Sequence, residues 1–241
     1  MILLCYDKEK RGAGKMNKIV TFEDIKNNPE ITTYIKRGND LLGVMGFTEH
    51  GFAHAGKVAV KAAEILTKLE YPARTVELAK IAGYMHDIGN CINRHDHAQS
   101  GAIMAFRILD RMGFEAEELA DIIGAIGNHD EGTGTVVSPI SAALILADKS
   151  DVRRTRVRYK KRKESKLSLD IHDRVNYAVH QSKLNIDEAK NSIILELEID
   201  TVISAVMEYF EIFLTRMVMC RNAATYLGLS FELNINNIRL L

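Results

Sequence analysis

The stretch Gly83-Tyr84-Met85-His86-Asp87-Ile88-Gly89 sets a histidine and an aspartate side by side where an apolar helix runs into a glycine turn. An imidazole nitrogen and a carboxylate oxygen are both ligand atoms for a divalent metal. Neighbouring residues on a helix point about 100° apart. A cation held by both must therefore lie at the helix end, with its other ligands arriving from elsewhere in the chain.

The candidates for those ligands are His54, His97, His129 and Asp148, each at or near the end of a helical pattern or beside a glycine. Asp148 closes the apolar run Ala142-Ala143-Leu144-Ile145-Leu146-Ala147. A carboxylate in that position is costly to bury unless charge compensates it, and a metal would do so.

The periodicity around these residues predicts a mainly α fold. Thr21 to Asp24 has the form of a capping box, and a helix follows from Pro29 to Met45, stopped by Gly46. Helical spacing continues from His54 to Leu69, from Arg74 to Met85, from Ala98 to Met112 and from Ala116 to Ile126. Ser138-Pro139 reads as an N-cap followed by proline at the first helical position, opening a helix that ends near Asp148.

After Lys166 the pattern changes. Ile193, Leu195, Leu197 and Ile199 alternate with more polar neighbours, as do Leu229, Phe231, Leu233 and Ile235. Residues Tyr177 to Ile186 give a third strand, paired to the first through Asp187 to Asn191. Between the strands, Ile199, Ile203, Val206, Phe210, Phe213, Met217, Cys220 and Ala224 recur at steps of four and three. That seam suits core packing within the chain in the first place, or a homodimer through a 199–224 helix in the second. The organisation expected is a loosely held extension over 1–20, with Met16 as an alternative start, a helical domain over 21–165, and a β-α-β appendage over 166–241, α+β overall.

With 241 residues, 46% hydrophobic and 27% charged, the composition is that of an ordinary globular protein. Its 32 basic and 32 acidic side chains balance, which removes any global pull toward nucleic acid or an anionic membrane. No apolar run approaches the roughly 20 residues that span a bilayer. The expected location is the cytoplasm, with neither membrane nor nucleic acid as partner. Cys5, Cys91 and Cys220 are too scattered for a disulfide framework or a zinc knuckle.

His54, His86-Asp87 followed by Ile88-Gly89, and Asp148 within Leu146-Ala147-Asp148-Lys149-Ser150-Asp151 resemble, in order and local context, the HD superfamily of metal-dependent phosphohydrolases. The likeness covers about residues 48 to 160 and implies a helical HD-type domain. His97, with Gly101 four residues on, and His129 in Gly127-Asn128-His129-Asp130-Glu131-Gly132 resemble the members that hold two metals. Carried over, His54, His86, Asp87 and Asp148 bind one divalent ion, and Asp87 bridges to a second held by His97 and His129. The metal itself, Mn, Fe, Ni, Zn or Mg, is left open.

The resemblance implies that metal-activated hydroxide, centred on Asp87, cleaves a phosphomonoester or phosphodiester of a nucleotide or other small substrate. Lys149, Arg153, Arg154, Arg156 and Arg158 are the cations expected to bind that substrate, Lys149 and Arg154 with a catalytic part. The run Lys160-Lys161-Arg162-Lys163 reads instead as a solvated tract. Asp151, expected on the same helical face as Asp148, is assigned as an orienting residue or general acid, with Asp130 and Glu131 in similar roles beside His129.

Subgroup signatures are absent. The positions after the doublet hold Asn90, Cys91, Ile92 and Asn93, where guanosine-tetraphosphate hydrolases carry a Glu-Asp pair. The Gly-Tyr-Pro of cyclic-dinucleotide phosphodiesterases is missing, and His50 offers only a weak third-metal position. The alternatives are a di-iron oxygenase on the same fold and a sensor that binds a nucleotide without turnover.

Overall fold

The computed structural model describes residues 19–158 and 170–240. Cys5, Met16, the Lys160 to Lys163 run and nearly all of the N-terminal extension lie outside the described residues. Helix α1 (Phe22–Lys26) starts with the capping box of Thr21 and Asp24. Helix α2 (Pro29–Val44) starts at Asn28, whose side chain accepts from the Glu30 and Ile31 amides. Helices α3 (Phe52–Lys68) and α4 (Ala73–Met85) follow, and α4 runs into a 3₁₀ turn, Ile88–Cys91. Next come α5 (His97–Met112), α6 (Ala116–Gly127) and α7 (Pro139–Lys149).

Helix α7 is the hub. Its residues Ile140 and Ala142 to Leu146 are all buried, because the segment is apolar on every side and can only sit inside. It packs against α3, α4, α6 and α9 (Val206–Tyr226). Ser138 caps it as the sequence suggests, its hydroxyl oxygen accepting from the Ser141 amide.

The C-terminal unit differs from expectation in three places. Residues Ile171–Ala178 form a helix, α8, opened by Asp170 accepting from the Asp173 amide. Its apolar residues are too few to stand out by periodicity. Strand β1 therefore begins later, at Val179, and runs to Asp187. Ile199 ends strand β2 (Ser192–Ile199) and Ile203 lies in the connection after it, so the helix is not 199–224 but α9. The rest of the seam, Phe213, Met217, Cys220 and Ala224, is buried in the chain's own core, where α9 meets α7 and strand β3 (Ser230–Ile235). Val206 and Phe210, earlier in the seam, pack against the same core while partly buried.

The sheet has the order β1-β2-β3-β4, with β4 at Ile238–Arg239. β1 and β2 are antiparallel, β2 and β3 parallel across the α9 crossover, and β3 and β4 antiparallel. The register pairs Ile193 with Phe231, Leu195 with Leu233 and Leu197 with Ile235. The two alternating apolar rows thus share one face, as their period of two requires. The molecule is mainly α with this small sheet, α+β overall. Among the described residues no helix is long and apolar enough to cross a membrane.

Gly89 decides how the doublet meets α5. A Cβ there would run into the His97 carbonyl oxygen and stand 2.6 Å from the Gly101 nitrogen. Both obstacles are backbone, so neither can swing aside. The absence of a side chain lets the start of α5 lie on the 3₁₀ turn, which brings His97 beside Asp87. Gly89→Ala is expected to destabilise the fold by about 3 kcal/mol, a cost typical of severe overpacking, as read by urea unfolding.

Candidate metal centre

His54 lies in the first turn of α3, His86 caps the end of α4, His97 opens α5 and His129 follows α6. All are buried. Each is held by Nδ1. His86 donates to the Gly83 carbonyl at 2.8 Å, His97 to Arg94 at 3.0 Å and His129 to Ile126 at 2.6 Å. His54 Nδ1 lies 2.8 Å from Asp151 Oδ2. A carbonyl oxygen can only accept, so Nδ1 carries the proton and Nε2 of the neutral ring carries a lone pair. Three of these anchors are carbonyls three residues back, the arrangement a histidine at a helix terminus reaches without strain.

The Nε2 atoms converge on Asp87 and Asp148. His54 Nε2 lies 3.2 Å from Asp148 Oδ1 and 3.6 Å from Asp87 Oδ2. His86 Nε2 reverses those distances, 3.6 and 3.2 Å. The other oxygen of Asp87, Oδ1, is 3.4 Å from His97 Nε2 and 3.9 Å from His129 Nε2. Asp87 thus shows one oxygen to each pair of histidines. His54, His86 and Asp148 form one group with ligand atoms within 4.8 Å of one another, and His86, Asp87 and His129 form a second.

These residues fit a cation. Nε2 of His54, Nε2 of His86 and Oδ2 of Asp87 are buried without a hydrogen-bond partner among the described residues. His97 Nε2 and His129 Nε2 are 3.2 Å apart, and two lone pairs at that distance repel unless positive charge lies between them. The electrostatics point the same way. Burial alone would raise the Asp87 carboxyl, but the adjacent His86, with His50 and His97, outweighs it and holds Asp87 well below the usual carboxylate range. Asp148 is likewise held down against burial, by Lys149, His54 and His86. Burial lowers the His86 imidazole, yet Asp87 and Asp148 overcome it and push it up to about 10. Burial and the cations His86 and Lys149 push His129 well below its ordinary value. The carboxylates hold positive charge at the centre, a role a divalent metal fills.

The family model for the HD domain matches residues 51–178. The chain belongs to the HD-domain family. It is also 27% identical over 160 residues to an uncharacterized protein of Methanocaldococcus jannaschii, an alignment covering 57% of this chain and 61% of that one. The chain thus spans less than two thirds of that curated relative. The crystal structure of a predicted HD superfamily hydrolase from an uncultured Thermotogales bacterium shares 25% identity, covering 54% of this chain and 73% of that one with a TM-score of 0.41.

Around the HD-domain cluster the expected cations separate. A cavity of 430 Å³ opens on Asp87, His97, His129 and Asp148, and Lys149 and Arg156 line it. Lys149 is buried, its Nζ 2.8 Å from Asp148 Oδ2 and 2.6 Å from Glu131 Oε2, so it braces a carboxylate of the candidate ligand group. Arg156 donates to the carbonyls of Glu49 and Asp151. Arg153 pairs with Asp151 and Arg158 donates to carbonyls of Phe47, Asn39 and Thr48; neither lines the cavity. Arg154 turns away altogether, donating to the Tyr177 carbonyl with its guanidinium 4.6 Å over that ring. The catalytic and substrate-binding parts expected of it are corrected. Their source was chain proximity to Asp148, but the helix ends first and the turn at Arg154–Arg156 faces α8.

Asp151 also differs. Helix α7 ends at Lys149, so Asp151 shares no helical face with Asp148. It stands behind His54, Oδ2 on Nδ1 and Oδ1 accepting from Arg153 Nε at 2.8 Å. Of its two expected roles, orientation matches this position; a general acid would need to face the cavity, which Asp151 does not line. Asp130 Oδ1 lies 3.9 Å from His97 Nε2. Glu131 is tied to Lys149 and Arg216. His50 donates from Nδ1 to the Thr48 carbonyl and joins neither ligand group.

Three residues escaped the sequence reading. Asn90 donates from Nδ2 to Asp87 Oδ1 at 2.7 Å. Arg94 Nη1 lies 3.7 Å from Asp87 Oδ1 and 3.3 Å from His97 Nε2. Arg216 comes from α9. Asn90 and Arg94 sit between the doublet and His97, where a signal was available in the spacing. Arg216 had none, being far along the chain. Removing a carboxylate behind a ligating histidine costs about 10–100-fold in metal affinity. Asp151→Asn is expected to lose that much in a chelator competition, and Arg154→Ala to lose nothing.

Proposed function

We propose that this HD domain is a metal-dependent hydrolase that cleaves a phosphomonoester or phosphodiester of a nucleotide or other small phosphate ester. The observation that carries the reading is the division of Asp87, with Oδ2 toward His54 and His86 and Oδ1 toward His97 and His129. In this reading His54, His86, Asp87 and Asp148 hold one divalent ion, and Asp87, His97 and His129 hold another. Bound there, the ions supply Lewis acidity and an activated water, so no side-chain nucleophile is required.

The chain's own residues do the rest. Asp151 and the three backbone carbonyls keep every Nδ1 protonated, so each imidazole presents its lone pair inward. Lys149 draws off part of the Asp148 charge through Oδ2, which leaves Oδ1 to face His54 and His86. Arg94 and Arg156 bring positive charge to the same cavity, where it offsets the charge that develops on a phosphoryl group. A volume of 430 Å³ suits a small phosphate ester rather than a polymer.

Two measurements test this. Loaded with Mn²⁺, Zn²⁺ or Ni²⁺, the protein is expected to hydrolyse generic phosphomonoesters or phosphodiesters, and Asp87→Ala to lose about 10³-fold or more in kcat. His97→Ala is expected to lose one equivalent of metal and keep the other, by elemental analysis. The imidazole-rich set also suits iron. An iron-only protein inert toward every phosphate ester but consuming oxygen with an organic substrate would sink the hydrolase reading. Nucleotide binding without turnover, unchanged in Asp87→Ala, would replace it with a sensor.

A further inference from the structure

Helix α9 lies outside the residues matched by the family model, yet it supplies Phe213 and Arg216 to the wall of the metal cavity. Arg216 is linked to the metal ligands by a chain of alternating charge. Its Nε donates to Glu131 Oε1 at 2.7 Å, Glu131 Oε2 is 2.6 Å from Lys149 Nζ, and Lys149 Nζ is 2.8 Å from Asp148 Oδ2. The guanidinium stands 4.5 Å over the Phe213 ring, which fixes its plane.

The hydrogen-bond arrangement leaves this guanidinium half used. Nε is spent on Glu131, while among the described residues neither Nη is hydrogen-bonded, and the side chain is 20% exposed, toward the cavity. The other cations there are placed differently. Lys149 is divided between Asp148 and Glu131, Arg156 spends Nε and Nη1 on backbone carbonyls, and Arg94 is drawn against the cluster itself, its Nη1 on Asn90 and His97. A planar fork of free N–H groups beside a metal-ligand cluster matches two oxygens of a phosphate in bidentate fashion.

We propose that Arg216, aimed by Glu131 and Phe213, binds the phosphate oxygens of the substrate, so that the C-terminal unit is a working part of the metal site. The proposal rests on the phosphohydrolase reading, and the substrate class it names is a small phosphate whose non-bridging oxygens are free to accept.

The test is equilibrium binding of inorganic phosphate to the metal-loaded full chain, with metal content and Tm measured on the same samples. Arg216→Ala is expected to weaken phosphate about 10–100-fold, the loss of a charge-assisted pair of hydrogen bonds, with metal content unchanged. Arg216→Lys keeps a cation beside Glu131 but no fork, and is expected to recover only part of the affinity; it serves alone if the alanine variant does not fold. Unchanged phosphate affinity in either folded variant overturns the assignment and leaves the phosphohydrolase reading standing. Loss of metal along with phosphate overturns it too, making Arg216 a structural tether. A metal-loaded wild type that neither binds phosphate nor hydrolyses phosphate esters overturns both.

Discussion

Two carboxylates, Asp87 and Asp148, are set at the ends of helices inside an apolar core, and the molecule is arranged around keeping them ionised there. An unpaired buried charge is far too costly to persist. The solution here is positive charge at the centre, on His86 or on a divalent ion, together with Lys149 at the outer oxygen of Asp148. Every other feature of the site can be traced to that requirement. The imidazoles are locked at Nδ1 so that their lone pairs face inward, and Asp151 is in turn held by Arg153 behind His54.

The same requirement couples the two parts of the chain. Burying α7 on all sides delivers Asp148 to the centre, and the residue after it, Lys149, has to be neutralised as well. Glu131 does this, with burial opposing its ionisation and Lys149 and Arg216 outweighing it to hold its carboxyl well below the usual range. Glu131 also meets Arg216 from α9, the helix whose apolar residues pack it against α7 and so bring it to the cavity wall. The small sheet then has a definite part. By pairing β2 with β3 in parallel it sets the crossover that lays α9 along α7.

Much of this was legible beforehand for a physical reason. Periodicity reports which face of a segment is buried, so the helices over 29–149 and the alternating rows of β2 and β3 could be read directly. The ligands were legible because a histidine or aspartate at the end of an apolar run is out of place unless something binds it. What failed were inferences from nearness in sequence. Arg154 and Asp151 follow Asp148 closely, but the chain turns at Ser150, so one leaves the site and the other approaches His54 from behind. The seam from Ile199 failed at its start because a strand end and a connection can imitate helical spacing for a few residues.

The sequence by itself determined the class of fold, the identity of the six metal-ligand candidates and their likeness to the HD family, because these depend on residue type and local period. The tertiary structure alone decided which oxygen of Asp87 meets which imidazole, which nitrogen of each ring is free, and which cations reach the cavity. Those are properties of directions in space between residues tens of positions apart. No local pattern encodes them, which is why Arg216, far along the chain from the cluster, came into view only once the helices were assembled.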